Sequence, residues 1–339
     1  MVYDSLLSIF GPNVKHVVWL GAVSFERRCT GSVEHLLDAG LKVARAVVFD
    51  YPTKLVPQNA GEQQRSINRE RLKQLLGKSV LWKHLNPYRY TEFVGEIDEL
   101  YRSYFNKEDP EQGIIFDITC LTKIHTLALA YWLLWRKPQT FAIAYSQPAY
   151  YGNPSKNIWG KGKWHSPVLV RLGLDSTDRY LSTHAIVLVG HEGDRLRLAL
   201  NEITPNSALI IKPLTRDPDS PLAVVSNVQN QWLYSEIKTG LREGFTEEQF
   251  HVTDLANLRT SINAYCERSK LRTARIVLCP FGPKPFVFVT AMASLTTHPN
   301  NTWLSYPIPF SYDPDYSEGF KYTLWLDPSE ALNNLTFSK

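Results

Sequence analysis

The stretch IIFDITCLTKIHTLALAYWLL, from Ile114 to Leu134, carries the pattern that decides the fold. Its first apolar run predicts a buried strand that ends at Asp117, and a turn rich in hydroxyl groups follows. From about Thr122 the residues are apolar on nearly every side of a helix, which is typical of a helix buried against a sheet. A strand that leads into such a helix predicts an α/β fold with parallel strands.

The same alternation occurs near the start and in the middle of the chain. Residues 16–21 and 184–190 are short apolar runs that each end at a glycine, the pattern of a buried strand entering a turn. A helix-like stretch follows each run, and second apolar runs follow at 46–49 and 208–211. The order strand, helix, strand is therefore predicted twice.

A fixed offset of 161 residues relates the later parts of the two halves. The matches are Tyr104 with Tyr265, Ile115-Phe116 with Ile276-Val277, Lys123 with Lys284, and Tyr145-x-x-Pro148-x-x-Tyr151 with Tyr306-x-x-Pro309-x-x-Tyr312. A lysine and a three-point Tyr/Pro/Tyr pattern in one register favour an internal duplication over chance.

These patterns predict two tandem Rossmann-like lobes with mainly parallel sheets, related by internal duplication. We place lobe one at residues 1–172 and lobe two at residues 178–339, with residues 174–177 as the joint. Parallel sheets of this kind bind ligands at the carboxyl ends of their strands. We therefore expect the strand ends of both lobes to meet at one shared ligand-binding cleft.

Lys123 is the leading candidate for ligand contact in lobe one. It stands at the predicted start of the apolar helix, where Thr122 is a suitable N-cap. Unpaired backbone N–H groups and the positive end of the helix dipole favour a phosphate or another anion there. In lobe two Lys284 has the same place, after Gly282, which permits a close backbone approach, and before Pro285.

Further candidates are weaker. Ser24 and Arg27 follow the first strand, and Arg195 has the corresponding place in the second half. The rings of Tyr145 and Tyr306 could stack on a base or belong to the core. The residues considered for a catalytic role are Asp117, Thr119, Ser24 and Lys123.

The segment from Ala149 to His165 interleaves basic and aromatic residues, the composition of a nucleic-acid or nucleotide contact. Its candidate contacts are Lys156, Trp159, Lys161, Lys163 and Trp164. A hairpin that only connects the lobes is the alternative interpretation.

Composition narrows the class of protein. With 44% hydrophobic and 21% charged residues among 339, the chain is globular rather than disordered or fibrous. No apolar stretch is long enough for a membrane span and no signal-peptide pattern is present, so we expect a cytoplasmic protein. The net charge of +4 is uneven, since residues 1–175 contain 22 Lys+Arg against 16 Asp+Glu.

The cysteines give no sign of a metal or a disulfide framework. Cys29, Cys120, Cys266 and Cys279 form no CxxC pair and no zinc-type spacing. Buried free thiols are the favoured interpretation, and no cofactor or metal is predicted.

The turn before each lysine resembles a motif of a known family. Asp117-Ile118-Thr119-Cys120-Leu121-Thr122-Lys123 and Gly282-Pro283-Lys284-Pro285 are similar to the nucleotide-sensing motif of CARF domains, and the tandem arrangement resembles the SAVED domain. The resemblance implies binding of a cyclic oligonucleotide in a prokaryotic antiviral system, and some CARF proteins also cleave their ligand. Lobe one departs from the motif because it lacks a Gly-Gly pair before its lysine.

Three functions follow from these features. The leading one is a sensor or regulatory subunit that holds a nucleotide or a cyclic oligonucleotide between its lobes. Because we find no appended effector domain, the effector would be a partner protein in another chain. The second is an enzyme, either a metal-independent phosphodiesterase similar to a ring nuclease or another nucleotide hydrolase or transferase. The third is a DNA- or RNA-binding subunit.

The sequence favours the sensor over the enzyme. It contains no histidine-based triad, no paired carboxylates at convincing spacing, no P-loop and no metal cluster.

Overall fold

The chain is described by a computed structural model. It describes residues 2–3, 7–51, 60–87, 89–106, 108–151, 168–172, 182–190, 193–214, 241, 244–268, 274–307 and 317–327. The chain divides into two compact units. Unit 1 consists of Met1–Tyr151 and Ser311–Lys339, and unit 2 of Gly152–Phe310.

Strands and helices alternate along most of the described chain. In chain order, the first half contains β1 (Val2–Tyr3), α1 (Leu7–Phe10), β2 (His16–Val23), α2 (Gly31–Asp38), β3 (Lys42–Asp50), α3 (Ala60–Leu76), β4 (Val80–His84), α4 (Tyr90–Tyr104), β5 (Gln112–Asp117), α5 (Lys123–Arg136), β6 (Phe141–Gln147) and β7 (Tyr150–Tyr151). The second half contains β8 (Val168–Arg171), β9 (Thr183–Leu188), α6 (Gly193–Ile203), β10 (Ser207–Leu214), β11 (Phe245–His251), α7 (Leu255–Cys266), β12 (Arg275–Pro280), α8 (Lys284–Thr297), β13 (Thr302–Tyr306), β14 (Ser317–Glu318) and β15 (Tyr322–Leu326).

Unit 1 is built on a seven-stranded sheet in the order β1-β15-β6-β5-β2-β3-β4. The five strands from β6 to β4 pair in parallel, whereas β15 pairs antiparallel with β6, and β1 antiparallel with β15. The first parallel strand, β2, therefore lies beside the fourth, β5, which is the order of a Rossmann-like sheet.

Unit 2 repeats this order with six strands, β11-β10-β9-β12-β13-β8. Its five parallel strands begin with β9 at the centre, and β8 pairs antiparallel with β13 at one edge. The predicted fold class, α/β with two mainly parallel Rossmann-like sheets, is confirmed.

The antiparallel strands β8 and β15 each belong to a sheet that their position in the sequence did not predict. Strand β8 follows β6 in the sequence, but it pairs with β13 in unit 2. Strand β15 follows β13, but it pairs with β6 in unit 1. The compact units therefore differ from the predicted lobes, 1–172 and 178–339, because β8 joins the sheet of unit 2 and β15 joins the sheet of unit 1.

The helices match the predicted offset of 161 residues, but one strand does not. Helix α5 starts at Lys123 and α8 at Lys284, as the offset requires. In the sheets, however, Ile114 pairs with Phe141 and Ile276 with Thr302, so the strand before each helix is offset by one residue more. The predicted match of Ile115 with Ile276 is thus wrong by one residue, because the helix starts nine residues after Ile114 in unit 1 and eight residues after Ile276 in unit 2.

The cores are apolar on both faces of the sheets, as expected when helices cover a parallel sheet. In unit 1 the largest fully buried side chains include Trp19, Trp132 and Trp325. All four cysteines are free and buried, which confirms that interpretation. Among the helices that the structure describes, none combines the length and the apolar character that crossing a membrane requires.

Candidate functional site

The carboxyl ends of the parallel strands are the expected ligand-binding edge in each unit. In unit 1 the turns after β2 and β5 leave this edge side by side, since the two strands are neighbours. Their following connections run toward opposite ends of the sheet, which is the topology at which sheets of this kind bind ligands. In unit 2 the corresponding turns follow β9 and β12.

Lys123 and Lys284 are each the first residue of a helix, as predicted. Both side chains are half-buried. In unit 1 Thr122 is the N-cap, because its hydroxyl oxygen accepts a hydrogen bond from the backbone N–H of His125 at 3.2 Å. In unit 2 the N-cap is Pro283, whose side chain offers no such bond. The two lysines therefore share a position in the fold but stand on differently capped helices.

Gly282 is packed against neighbouring residues and does not face open space. A Cβ added there would lie 3.1 Å from the Cβ of Leu188 and 3.3 Å from the carbonyl oxygen of Val189. At Gly190 an added Cβ would lie only 1.9 Å from the carbonyl oxygen of Phe281. The two glycines thus let the turns after β9 and β12 pack backbone against backbone.

Asp117 and Thr119 are buried behind the helix start. The carboxylate of Asp117 accepts hydrogen bonds from the hydroxyl of Ser32 and from the backbone N–H of Thr119, the latter at 2.8 Å. The Thr119 hydroxyl oxygen accepts from the backbone N–H of Ser146 at 2.8 Å. Both residues therefore join the ends of β5 and β6 to their neighbours.

The turn after β2 contains a buried ion pair that the sequence did not single out. Glu26 and Arg28 are buried, and the guanidinium donates to the carboxylate at 2.8 Å and 2.6 Å. Arg28 also donates to the hydroxyl of Tyr145 at 3.1 Å and to the carbonyl of Ser146 at 3.0 Å. The predicted Arg27 is exposed.

Ser24 begins this turn and is half-buried. Its hydroxyl oxygen accepts from the backbone N–H of Glu26 at 3.3 Å, and its carbonyl oxygen accepts from the side-chain amide of Asn68 at 2.8 Å. The backbone at Ser24 is thereby fixed at the carboxyl end of β2.

The two tyrosines of the repeated pattern are buried. Tyr145 is 2% exposed and Tyr306 is 3% exposed. The guanidinium carbon of Arg28 lies 5.4 Å from the ring centre of Tyr145, and the ring of Phe281 lies 5.6 Å from that of Tyr306. Both rings pack at the ends of the fifth parallel strands, where they close the core.

Comparison with known proteins gives structural similarity only. No protein-family model matches the chain, and no curated protein matches it. Can2 from Sulfobacillus thermosulfidooxidans, solved in complex with cyclic tetra-adenylate, is similar with 17% identity and a TM-score of 0.29, over 39% of this chain and 32% of that one. A type III CRISPR defence DNA nuclease activated by cyclic oligoadenylate is similar with 10% identity and a TM-score of 0.49, over 82% of this chain and 64% of that one.

This chain spans about a third of the length of the first of these proteins and just under two thirds of the second. The fold class stated above follows from the strand order of this chain itself.

Helix α3 carries a second polar cluster that was not predicted. Arg65 and Arg69 both pair with the buried carboxylate of Asp50 at the end of β3, and the guanidinium of Arg69 lies 4.4 Å from the ring centre of Trp82. Asn68 binds the carbonyl oxygens of Ser24 and Glu26 from the same helix. In the sequence, the available signal was the i, i+3, i+4 spacing of Arg65, Asn68 and Arg69, which places the three side chains on one face of a polar helix.

Several sequence candidates lie outside the described residues. They are Lys156, Trp159, Lys161, Lys163 and Trp164. Arg195 is within helix α6, but its side chain is not among those described. Within the described part of the chain, no three His, Cys, Asp or Glu side chains gather closely enough to hold a metal ion.

Proposed function

We propose that this chain is a sensor that binds a nucleotide or a cyclic oligonucleotide, with Lys123 and Lys284 contacting its phosphate groups. One observation carries the proposal. In each unit a lysine is the first residue of the apolar helix that follows the fourth parallel strand. A cation at a helix N-terminus is unfavourable, because the backbone N–H groups there carry partial positive charge. A bound anion reverses the sign of that interaction.

A phosphate group suits this position for two further reasons. The first backbone N–H groups of a helix have no acceptor among the helix carbonyl groups, which makes helix starts favourable sites for anions; in α5 the N–H of His125 is bonded to the N-cap hydroxyl. A lysine ammonium adds charge-assisted hydrogen bonds to the same oxygens. Both helix starts also lie at the carboxyl ends of parallel strands, the edge at which such sheets bind ligands.

The contacts of Asp117 and Thr119 favour binding over phosphodiester cleavage. Each residue is at most 2% exposed, and each bonds neighbouring protein groups. A general base or nucleophile must reach the reacting atoms, so a buried and occupied pair is poorly suited to either role.

The ligand class and the pathway come from the resemblance of the lysine motifs to CARF and SAVED domains. We propose that occupancy is passed to an effector protein in another chain, as part of an antiviral defence system. Both compared structures are described with cyclic oligoadenylates, so these compounds are the first to be assayed.

The test is calorimetric titration of the full chain with cyclic tetra-adenylate, linear tetra-adenylate and AMP. Lys123→Met and Lys284→Met are measured singly and together. Each single variant should lower the affinity about tenfold to a hundredfold, the size expected for a charge-assisted hydrogen bond. Lys42→Met is the matched control, because Lys42 is exposed at the opposite, amino end of β3. The stoichiometry distinguishes one ligand per chain from two.

Two outcomes would contradict the proposal. One is that the wild-type chain binds none of the three compounds, and the other is that both lysine variants bind as the wild type does. Chromatography of the cyclic compound after incubation separates sensing from cleavage, since a sensor leaves the compound intact.

A further inference from the structure

A hydrogen-bonded pair behind the helix start links Tyr51 to His125. The Tyr51 hydroxyl oxygen lies 2.8 Å from Nδ1 of His125, and the backbone N–H of Thr122 donates to the same oxygen at 3.4 Å. Tyr51 immediately follows β3, whereas Thr122 and His125 form the start of α5. The tyrosine therefore connects the end of β3 with the helix turn that contains Lys123.

Burial determines the charge state of both groups in this pair. His125 is fully buried, and desolvation lowers its pKa to about 3, so the imidazole is neutral at ordinary pH. Desolvation also raises the pKa of the Tyr51 hydroxyl, which keeps its proton. Which of the two atoms donates in the pair depends on the tautomer of the neutral imidazole, and either tautomer keeps the hydrogen bond.

The first turn of α5, which contains His125, also contacts the residues that follow β4. The backbone carbonyl groups of Arg89 and Asn86 raise the pKa of His125 and so oppose part of the lowering that burial causes. The Thr122 hydroxyl donates to the carbonyl of Pro87 at 3.5 Å. The ring of Phe93 stacks on His125 at 4.3 Å and an interplanar angle of 3°. The first turn of α5 is thereby joined to the ends of β3 and β4.

Unit 2 holds its corresponding helix start by different means. At the offset of 161 residues, Phe286 stands where His125 stands in unit 1, and it is fully buried. The hydrogen-bonding side chain of unit 1 is thus replaced by an apolar one.

We infer that Tyr51 and His125 are positioning residues, which hold the first turn of α5 so that Lys123 faces its ligand. This inference rests on the proposed function for the role of Lys123, and on the hydrogen bonds above for the positioning itself. Neither side chain is assigned contact with the ligand.

Hydrogen exchange tests the positioning without any ligand. In Tyr51→Phe, the backbone N–H groups of Thr122 and His125 should exchange about fivefold to tenfold faster, the loss expected for one hydrogen bond. Exchange at Leu133 in the last turn of α5 should not change. Tyr265→Phe is the control, because it removes a buried hydroxyl that bonds Ser207 at 2.9 Å in unit 2.

A double-mutant cycle tests the consequence for binding. Tyr51→Phe should lower the affinity for cyclic tetra-adenylate about fivefold in the wild-type background and should have no further effect in Lys123→Met. An equal loss in both backgrounds, or unchanged hydrogen exchange at Thr122 and His125, would overturn the inference. If the wild-type chain binds none of the compounds, the proposed function fails, and the exchange data alone decide the positioning.

Discussion

The hydroxyl of Ser317 donates a hydrogen bond to the carboxylate of Glu26, which lies 291 residues earlier in the chain. The same carboxylate is paired with the buried guanidinium of Arg28, which in turn bonds Tyr145. Five residues after Ser317, strand β15 begins and completes the sheet of unit 1. Unit 1 therefore depends on residues that follow all of unit 2 in the sequence.

Replacing Trp325 by alanine should destabilise unit 1 strongly. Trp325 is on β15, is fully buried, and belongs to the same apolar cluster as Trp19. Removing a buried tryptophan side chain leaves a cavity and costs about 3–5 kcal/mol of unfolding free energy. Urea unfolding followed by circular dichroism measures the loss.

The control for Trp325→Ala is Trp135→Ala, because the Trp135 side chain is 55% exposed at the end of α5. An exposed tryptophan contributes little buried area, so its variant should lose less than about 1 kcal/mol. Equal losses in the two variants would contradict the assignment of β15 to the core of unit 1.

A pair of glycines predicts stability changes of opposite sign. Gly190→Ala should destabilise the protein by about 1–3 kcal/mol or more, because the new Cβ would meet the backbone carbonyl oxygen of Phe281. Gly95→Ala should stabilise it by about 0.5–1 kcal/mol, since Gly95 is within α4 and an added Cβ meets nothing within 4 Å. Thermal denaturation of both variants checks the signs, and a stable Gly190→Ala would show that the two turns are not packed as described.

The buried imidazole of His125 predicts acid lability. Its pKa is about 3 in the folded protein and about 6.5 when exposed in the unfolded chain, so the unfolded state binds the extra proton between these values. Its contribution to stability is complete above pH 6.5 and is lost as the pH falls toward 3. The limiting slope is about 1.4 kcal/mol per pH unit.

His125→Phe, which copies the residue of unit 2, should reduce that slope in urea unfolding measured at pH 7, 6, 5 and 4. His251→Asn is the control for the loss of an imidazole from the edge strand β11. The same change of slope in both variants would show that the acid lability does not arise from His125.

The local elements could be predicted because their signal is short-range. Apolar runs that end at a glycine or an aspartate identified the strands, and the apolar stretch after Thr122 identified α5. The helix starts at Lys123 and Lys284 followed from the same pattern and agree with the structure. Propensity and periodicity act within a few residues, so the sequence contains this information.

The buried charges of the site could not be predicted. Sequence reasoning chose Arg27, which is exposed, over Arg28, which is buried against Glu26. Adjacent arginines look alike in the sequence, and the direction of each side chain depends on the turn of 3₁₀ helix from Arg27 to Thr30. The groups that offset the cost of burying these charges, Tyr145 against Arg28 and Ser317 against Glu26, come from distant parts of the chain.

The sequence by itself determined two sets of parallel strands, and a lysine at the start of one apolar helix in each. It also predicted two equivalent halves at a fixed offset of 161 residues, whereas the sheet register places the strand before each helix at an offset one residue larger. Tertiary packing alone assigned the two late-joining antiparallel strands, β15 to the sheet of unit 1 and β8 to the sheet of unit 2. The physical reason is that an antiparallel edge strand satisfies its backbone hydrogen bonds on any exposed sheet edge, and the choice between edges depends on the packing of side chains that are far apart in sequence.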